Sequence, residues 1–233
     1  MERKANVARA FGRAVDTYKF YGSLQQQVAK TLCQKFSPFP QGQWLEVGCG
    51  TGFLTEELLA HHPEKLFAND ISLQMGMSLP SDERLEFILG DGEALAFPSV
   101  SMIASSFALQ WFSDPISTLQ KWANICQKVV VALPIAPSFL EWEIFAKEHG
   151  IEMTLNHLPN DLDLQKLGGQ LVIEEIPLDF ASPWAFLVWF KKLGANISLG
   201  NKRMPISFLK QLSKEDKPFH TKIRVAYLEV LHV

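Results

Sequence analysis

The run "LEVGCGTGFLTEELL" at residues 45–59 limits what this chain can become more than any other segment. A short apolar stretch breaks at three alternate glycines, Gly48, Gly50 and Gly52, then resumes with Leu54, Leu58 and Leu59 at helical spacing. A strand that turns through glycines into an amphipathic helix opens a βαβ unit, because the helix must bury its apolar side on the strand's own sheet. The pattern recurs. "QWLEV", "KLFAND", "LEFILG", "MIASSF" and "KVVVALPI" read as strands, mostly with helical patterns between them, so residues 43–135 are expected to form an open α/β sheet. "KVVVALPI", apolar throughout, reads as a central parallel strand.

The flanks follow other patterns. The N-terminal "MERKANVARAFGRAVDTYKFYG" is basic and mildly amphipathic, lacks the apolar stretch of a secretory signal, and reads as a structured helix. "GSLQQQVAKTLCQKF" is a second helix, with Ser23 as its expected cap. Asp114 with Pro115, and Ser182 with Pro183, mark two later helix starts, and Gly194 marks a stop. Residues 137–170 break the alternation and read as a helical insertion. "LVIEEI" returns to strand, and "FHTKIRVAYLEVLHV" alternates like a closing strand at the sheet edge. With 233 residues, 47% of them hydrophobic and 20% charged, the chain suits one soluble domain, and no run of about 18 apolar residues suggests a membrane span. Cys33, Cys49 and Cys126 are scattered and odd in number, which fits neither a disulfide framework nor a zinc site and favours a reducing, cytoplasmic setting.

Ligands of such sheets bind at the carboxyl ends of the strands, where glycines admit a close approach and a helix start offers free N–H groups. A dinucleotide fingerprint would place its third glycine at position 53, which is Phe53. The observed Gly-x-Gly-x-Gly resembles instead the first motif of class I S-adenosylmethionine-dependent methyltransferases, with Glu46 as the acidic residue before the first glycine. Asp70, at the end of "KLFAND" and followed by Ile71, resembles the family's second motif, whose carboxylate receives the ribose hydroxyls. Asp91 and Gly92, after "LEFILG", resemble its adenine site. Cys49 would be a small residue beside the cofactor rather than a nucleophile. The resemblance implies a Rossmann-like sheet of about seven strands with helices on both faces and a helical lid. It divides a single domain into an N-terminal helical cover (1–36), a cofactor-binding core (43–135), a lid insertion (137–170) and C-terminal strands and helix (171–233).

Beyond that core, Phe11-Gly12-Arg13, Tyr18, "SFALQWFSDP", "LNHLPNDLDLQKL" and "LGANISLGNKR" resemble the malonyl-acyl-carrier-protein O-methyltransferases of biotin synthesis over nearly the whole chain. The resemblance implies transfer of a methyl group from S-adenosylmethionine to the free carboxylate of a malonyl thioester, leaving S-adenosylhomocysteine. A carboxylate is already nucleophilic at neutral pH, so positioning rather than a general base is required. Tyr18 would donate to the substrate or cofactor, Gln110 would orient the acceptor, Trp111 would wall the transfer site, and Arg13 could pair with a carboxylate. Each also has a plain packing or surface reading. No metal site is expected. His61, His62, His149 and His157 read as structural or exposed. Two other functions stay open: methylation of another small molecule, such as a quinone precursor or a free dicarboxylic acid, and a non-catalytic binding partner of the same fold.

Charge is unevenly spread. The chain's net −3 resolves into about +5 over residues 1–35, −14 over 36–190 and +7 over 191–224. With the resemblance, the basic ends suggest a docking face for an acidic acyl carrier protein, with Lys191, Lys192, Lys202, Arg203 and Lys210 as candidates. No nucleic-acid motif accompanies these charges, so neither nucleic acid nor membrane is an expected partner, and a monomer is favoured over an oligomer.

Overall fold

The computed structural model describes residues 2–151, 158–195 and 204–232. Two helices, α1 (Glu2–Tyr21) and α2 (Ser23–Phe36), precede the first strand. The alternating part runs β1 (Gln43–Val47), α3 (Phe53–Leu59), β2 (Lys65–Asp70), α4 (Leu73–Gly76), β3 (Leu85–Leu89), β4 (Met102–Ser106), a 3-10 turn (Leu109–Trp111), α5 (Pro115–Ala123) and β5 (Lys128–Ile135). Then follow α6 (Leu140–Glu148), α7 (Asp161–Gln165), β6 (Gln170–Phe180), α8 (Pro183–Lys192), α9 (Ile206–Leu212) and β7 (Phe219–Leu231). The sheet has seven strands in the order β3-β2-β1-β4-β5-β7-β6. β1 to β5 pair in parallel, whereas β7 is antiparallel to both β5 and β6.

The period of two along each strand divides the core between the faces of the sheet. On one face Trp44, Met102, Val130, Ala132, Val225 and Tyr227 pack with residues of α2, α3, α6, α8 and α9, Trp142 and Phe186 among them. On the other, Leu45, Ile103, Val129, Val131, Ala226 and Leu228 meet Leu119 and Trp122 of α5 and Leu164 of α7. Burial of each large apolar side chain contributes roughly 1.5–3 kcal/mol, so both faces are held mainly by this exclusion of water.

Several expectations change. β7 is not the sheet edge: it lies inside, between β5 and β6, and β6 is the edge strand. The alternation of "FHTKIR" suggested a half-exposed strand, but Val225–Leu228 are buried on both faces, as an interior strand demands. β5 is central and wholly buried, yet parallel only on its β4 side. Ser23 is the first residue of α2 rather than its cap; Gly22 holds that place with no side-chain bond to the helix. The caps at Asp114 and Ser182 form, accepting from the Ser117 and Ala185 N–H groups, and Gly194 sits in the left-handed region at φ +69°. Within 137–170 the described residues hold α6 and α7.

Candidate active site

The glycine run forms the floor of a cavity at the carboxyl ends of β1, β2 and β4. Gly48 has φ +75°, and a Cβ there would lie 2.2 Å from the Ala108 Cβ, so no other residue closes the β1 turn against β4. Gly50, at φ +55°, faces open space: an added Cβ would meet nothing within 4 Å. The Gly48 and Cys49 N–H groups both donate to the Asn69 carbonyl, at 2.8 and 2.9 Å, which ties the loop to β2.

Asp70 closes this side. Its Oδ2 accepts from the Gly50 N–H at 3.0 Å and its Oδ1 from the Ser72 N–H at 2.8 Å. Burial raises its carboxyl above the usual range, against the lowering effect of the Ser72, Gly50 and Ile71 N–H groups. Each carboxylate oxygen keeps a second lone pair, and Asp70 and Ile71 both line the cavity. Glu46 lies deeper, 1% exposed, accepting from the Thr55 hydroxyl at 2.6 Å. Burial pushes its carboxyl up to about 8, the Thr55 bond opposing this and Asp70 adding to it. The Cys49 thiol is pushed well above its usual value, chiefly by burial, so it is held as a neutral thiol.

Asp91 and Gly92 bound the far end of the cavity. Asp91 Oδ2 pairs with the Lys4 ammonium at 2.5 Å, and the same ammonium reaches Glu93 Oε2 at 2.6 Å. The other Glu93 oxygen accepts from the Ser113 and Asp114 N–H groups. Burial alone would raise the Glu93 carboxyl, but bonds from Lys4, Asp114 and Ser113 bring it down to about 2. Lys4, Val7, Phe11 and Tyr18 form one stripe of α1 that lines the cavity.

A second cavity adjoins the first. The empty volumes are about 890 and 1460 Å³, both opening to solvent. Phe11, Tyr18, Gln25, Phe107 and Trp111 line both and so form the seam between them. The Tyr18 phenol is raised well above its usual range by burial, with Asp70 adding to this, so it is a protonated donor at neutral pH. Trp111 packs edge-on against Phe11 at 5.4 Å. Gln110 lines only the second cavity, and its Nε2 donates to the Phe107 carbonyl at 2.7 Å. The rest of that wall is mainly aromatic and apolar, with Phe139 and Trp189 prominent and Glu143 its one acidic side chain among the described residues.

The structure thus brings together Glu46, Gly48, Cys49, Gly50, Asp70, Ile71, Asp91, Gly92, Tyr18 and Trp111 around the first cavity. Gly52 caps α3 at φ +97° just outside its lining. Arg13 stands apart, exposed on the outer side of α1 and lining neither cavity. Lys191 and Lys210 are exposed, and the Lys192 ammonium lies 6.0 Å from the Tyr21 ring. Lys202, Arg203 and His157 lie outside the described residues. His61, His62 and His149 are exposed. Sequence reading missed Lys4, Gln25, Asn69, Glu93 and Ser106. Asn69 and Ser106 had a usable signal, as polar residues at the carboxyl ends of strands, and Lys4 and Val7 lie at helical spacing from Phe11.

A family profile described as "Methyltransferase domain" matches residues 45–131, the stretch from β1 to β5. A malonyl-[acyl-carrier protein] O-methyltransferase from Magnetococcus marinus is 30% identical over 223 residues, covering 88% of this chain and 82% of the relative. One from Bacteroides thetaiotaomicron is also 30% identical, over 83% of this chain and 78% of the relative. Among solved structures, the YcgJ protein from Bacillus subtilis superposes with a TM-score of 0.61 at 15% identity, covering 87% of this chain and 97% of that one, a likeness of fold. The parallel sheet with its antiparallel β7, the glycine floor under two strand-end carboxylates and this similarity along most of the chain lead to one assignment: the chain belongs to the malonyl-acyl-carrier-protein O-methyltransferase family of class I S-adenosylmethionine-dependent methyltransferases.

Proposed function

We propose that the protein methylates the free carboxylate of a malonyl thioester borne on an acyl carrier protein, using S-adenosylmethionine. The observation that carries this reading is the seam: a cavity with polar anchors meets a larger, mainly aromatic one across Phe11, Tyr18, Gln25, Phe107 and Trp111, none of which is a general base. An acceptor that needs no deprotonation fits such a seam. The relatives' names carry the identity of the acceptor.

The first cavity fits the cofactor. The buried Thr51 and Ser106 hydroxyls on its wall have no hydrogen-bond partner among the described residues, and Gly50 leaves room for a close approach. In this reading the loop from Gly48 through Cys49 and Gly50 to Gly52 wraps the aminoacyl part above Glu46. Asp70 receives the ribose hydroxyls beside Ile71, and Asp91 with Gly92 meets the adenine. When bound, the cofactor supplies a sulfonium methyl group as electrophile. Tyr18 and Trp111 hold the acceptor in line at about 3 Å, Gln110 steadies the turn beneath it, and the aromatic walls exclude water. α1 and residues 137–170 act as covers. A reducing cytoplasm suits the three unpaired, buried cysteines.

The test offers malonyl-carrier protein, malonyl-coenzyme A and free malonate with a labelled methyl donor. Labelled methyl ester on the carrier-bound substrate, with little on free malonate, is expected. Preferential labelling of a free dicarboxylic acid, or of none of the three, would overturn the reading.

A further inference from the structure

Buried polar atoms without partners mark where a ligand completes the structure, because a polar group taken out of water and left unpaired is unfavourable. Around the first cavity these atoms sort by place. Thr51 Oγ1 and Ser106 Oγ face that cavity only. Gln25 Oε1 and Trp111 Nε1 belong to residues that line both cavities. Gln25 is 9% exposed and stands in the first turn of α2, one helix turn beyond the junction with α1. Its amide oxygen is thus held at the seam with no hydrogen-bond partner among the described residues.

We infer that Gln25 is an acceptor-binding residue which, with the Trp111 N–H and the Tyr18 O–H, grips the carboxylate at the point of methyl transfer. This rests on the reading of the acceptor as a carboxylate. Rotation about the last side-chain bond of Gln25 presents either end of the amide, so its NH₂ can turn to an anionic oxygen. Trp111 offers only a donor, and Tyr18 a phenolic one, so the seam is a donor set for an oxygen anion. All three groups are neutral. A guanidinium in this place would bind the carboxylate strongly and draw down the lone pair that must attack. Neutral donors orient it and leave that pair available. As the O–CH₃ bond forms, the S–CH₃ bond breaks and its electron pair stays on sulfur. One negative and one positive charge vanish together and no proton moves. An apolar, neutral enclosure favours such a charge-cancelling step over the separated ions.

Gln25→Met keeps the chain length and removes only the amide. It should lower kcat/KM for the malonyl thioester about tenfold, mostly through KM, the loss of one hydrogen bond to a charged group. The dissociation constant for S-adenosylhomocysteine, read by calorimetry, should stay within about twofold, and the unfolding temperature should hold or rise, since an unpaired buried amide is gone. Gln25→Glu, which sets a like charge beside the carboxylate, should lose more activity than Gln25→Met. If wild type methylates the malonyl thioester and Gln25→Met keeps kcat/KM within about twofold, the inference falls and the proposed function stands. If the product-cofactor affinity drops as far as the acceptor term, Gln25 faces the cofactor and the inference is overturned. If wild type methylates no carboxylate at all, the proposed function falls and the grip falls with it.

Discussion

Asp70 works in two directions at once. Its oxygens hold the Gly50 and Ser72 N–H groups, and its remaining lone pairs face the cavity, so one side chain shapes the loop and offers bonds to a ligand. Asp70→Ala should weaken cofactor binding by about tenfold to a hundredfold, the worth of charge-assisted bonds of roughly 1.5–3 kcal/mol, while the far-ultraviolet spectrum stays native. Unchanged affinity in a folded variant would remove Asp70 from the site. Glu46 carries a pH signature instead. Its carboxyl is raised from about 4.5 in the unfolded chain to about 8 in the fold. The unfolded state therefore loses this proton first. The stability it contributes is complete below about 4.5 and is lost as pH rises through about 8. Glu46→Gln should flatten the fall in unfolding temperature between pH 5 and pH 8, roughly the interval between those two values. A variant that falls as steeply as wild type would show that Glu46 ionises freely in the fold. The places of Asp70 and Asp91 were legible because a carboxylate ending an apolar strand stands out locally. The pairing of Lys4 with Asp91 was not, since 87 residues separate them and no local pattern encodes such a contact.

At the scale of elements, α1 shows how a helix outside the βα alternation is recruited. Its inner stripe lines the first cavity; Lys4 fastens its start to Asp91 and Glu93; the Thr17 hydroxyl donates to the Lys192 carbonyl and the Trp189 indole to the Tyr21 carbonyl near its end. The sequence announced the helix and its basic character, but not where it lands, because landing depends on strand-end loops that meet only once the sheet has formed. β7 teaches the reverse lesson. Its first half alternates, whereas Val225–Leu228 are buried without a break, and only that run reported its interior place. The Lys4 tie is partly exposed, with 27% of its side chain open, and so should contribute no more than about 1 kcal/mol. Lys4→Met should then raise proteolytic cleavage within residues 1–36 by about threefold to fivefold, with cleavage in β4 and β5 unchanged. Addition of S-adenosylhomocysteine should protect residues 1–36 and 137–170 together if both are covers. Equal cleavage of these two regions with and without it would count against that role.

Over the whole molecule the basic ends are partly spent on internal pairs. Lys35 reaches Glu174, Lys222 reaches Glu175, and Arg224 reaches Asp161, so these cations brace β6 and β7. Among the cations that stay exposed, Lys19 and Lys191 lie on the paired helices α1 and α8, beside Phe20, which is 81% exposed; Arg9, Arg13, Lys30 and Lys210 are exposed elsewhere. α8 also supplies Trp189 and Phe190 to the wall of the second cavity, so this basic corner flanks the route to the proposed acceptor site. A protein of net charge −3 can still attract an acidic partner to such a corner, because screening confines the field to about 8–10 Å at physiological salt. Steering of this kind acts on association and fades as salt rises, whereas contacts inside the cavity depend little on salt. Joint reversal of Lys19 and Lys191 to Glu should therefore raise KM for a carrier-borne malonyl thioester by about tenfold at low salt, and the gap should narrow towards about 0.5 M salt. For a small malonyl thioester, which carries no acidic surface, KM should change less than about twofold. Equal shifts for the two substrates, or a gap that salt leaves untouched, would place carrier docking on another face of the molecule.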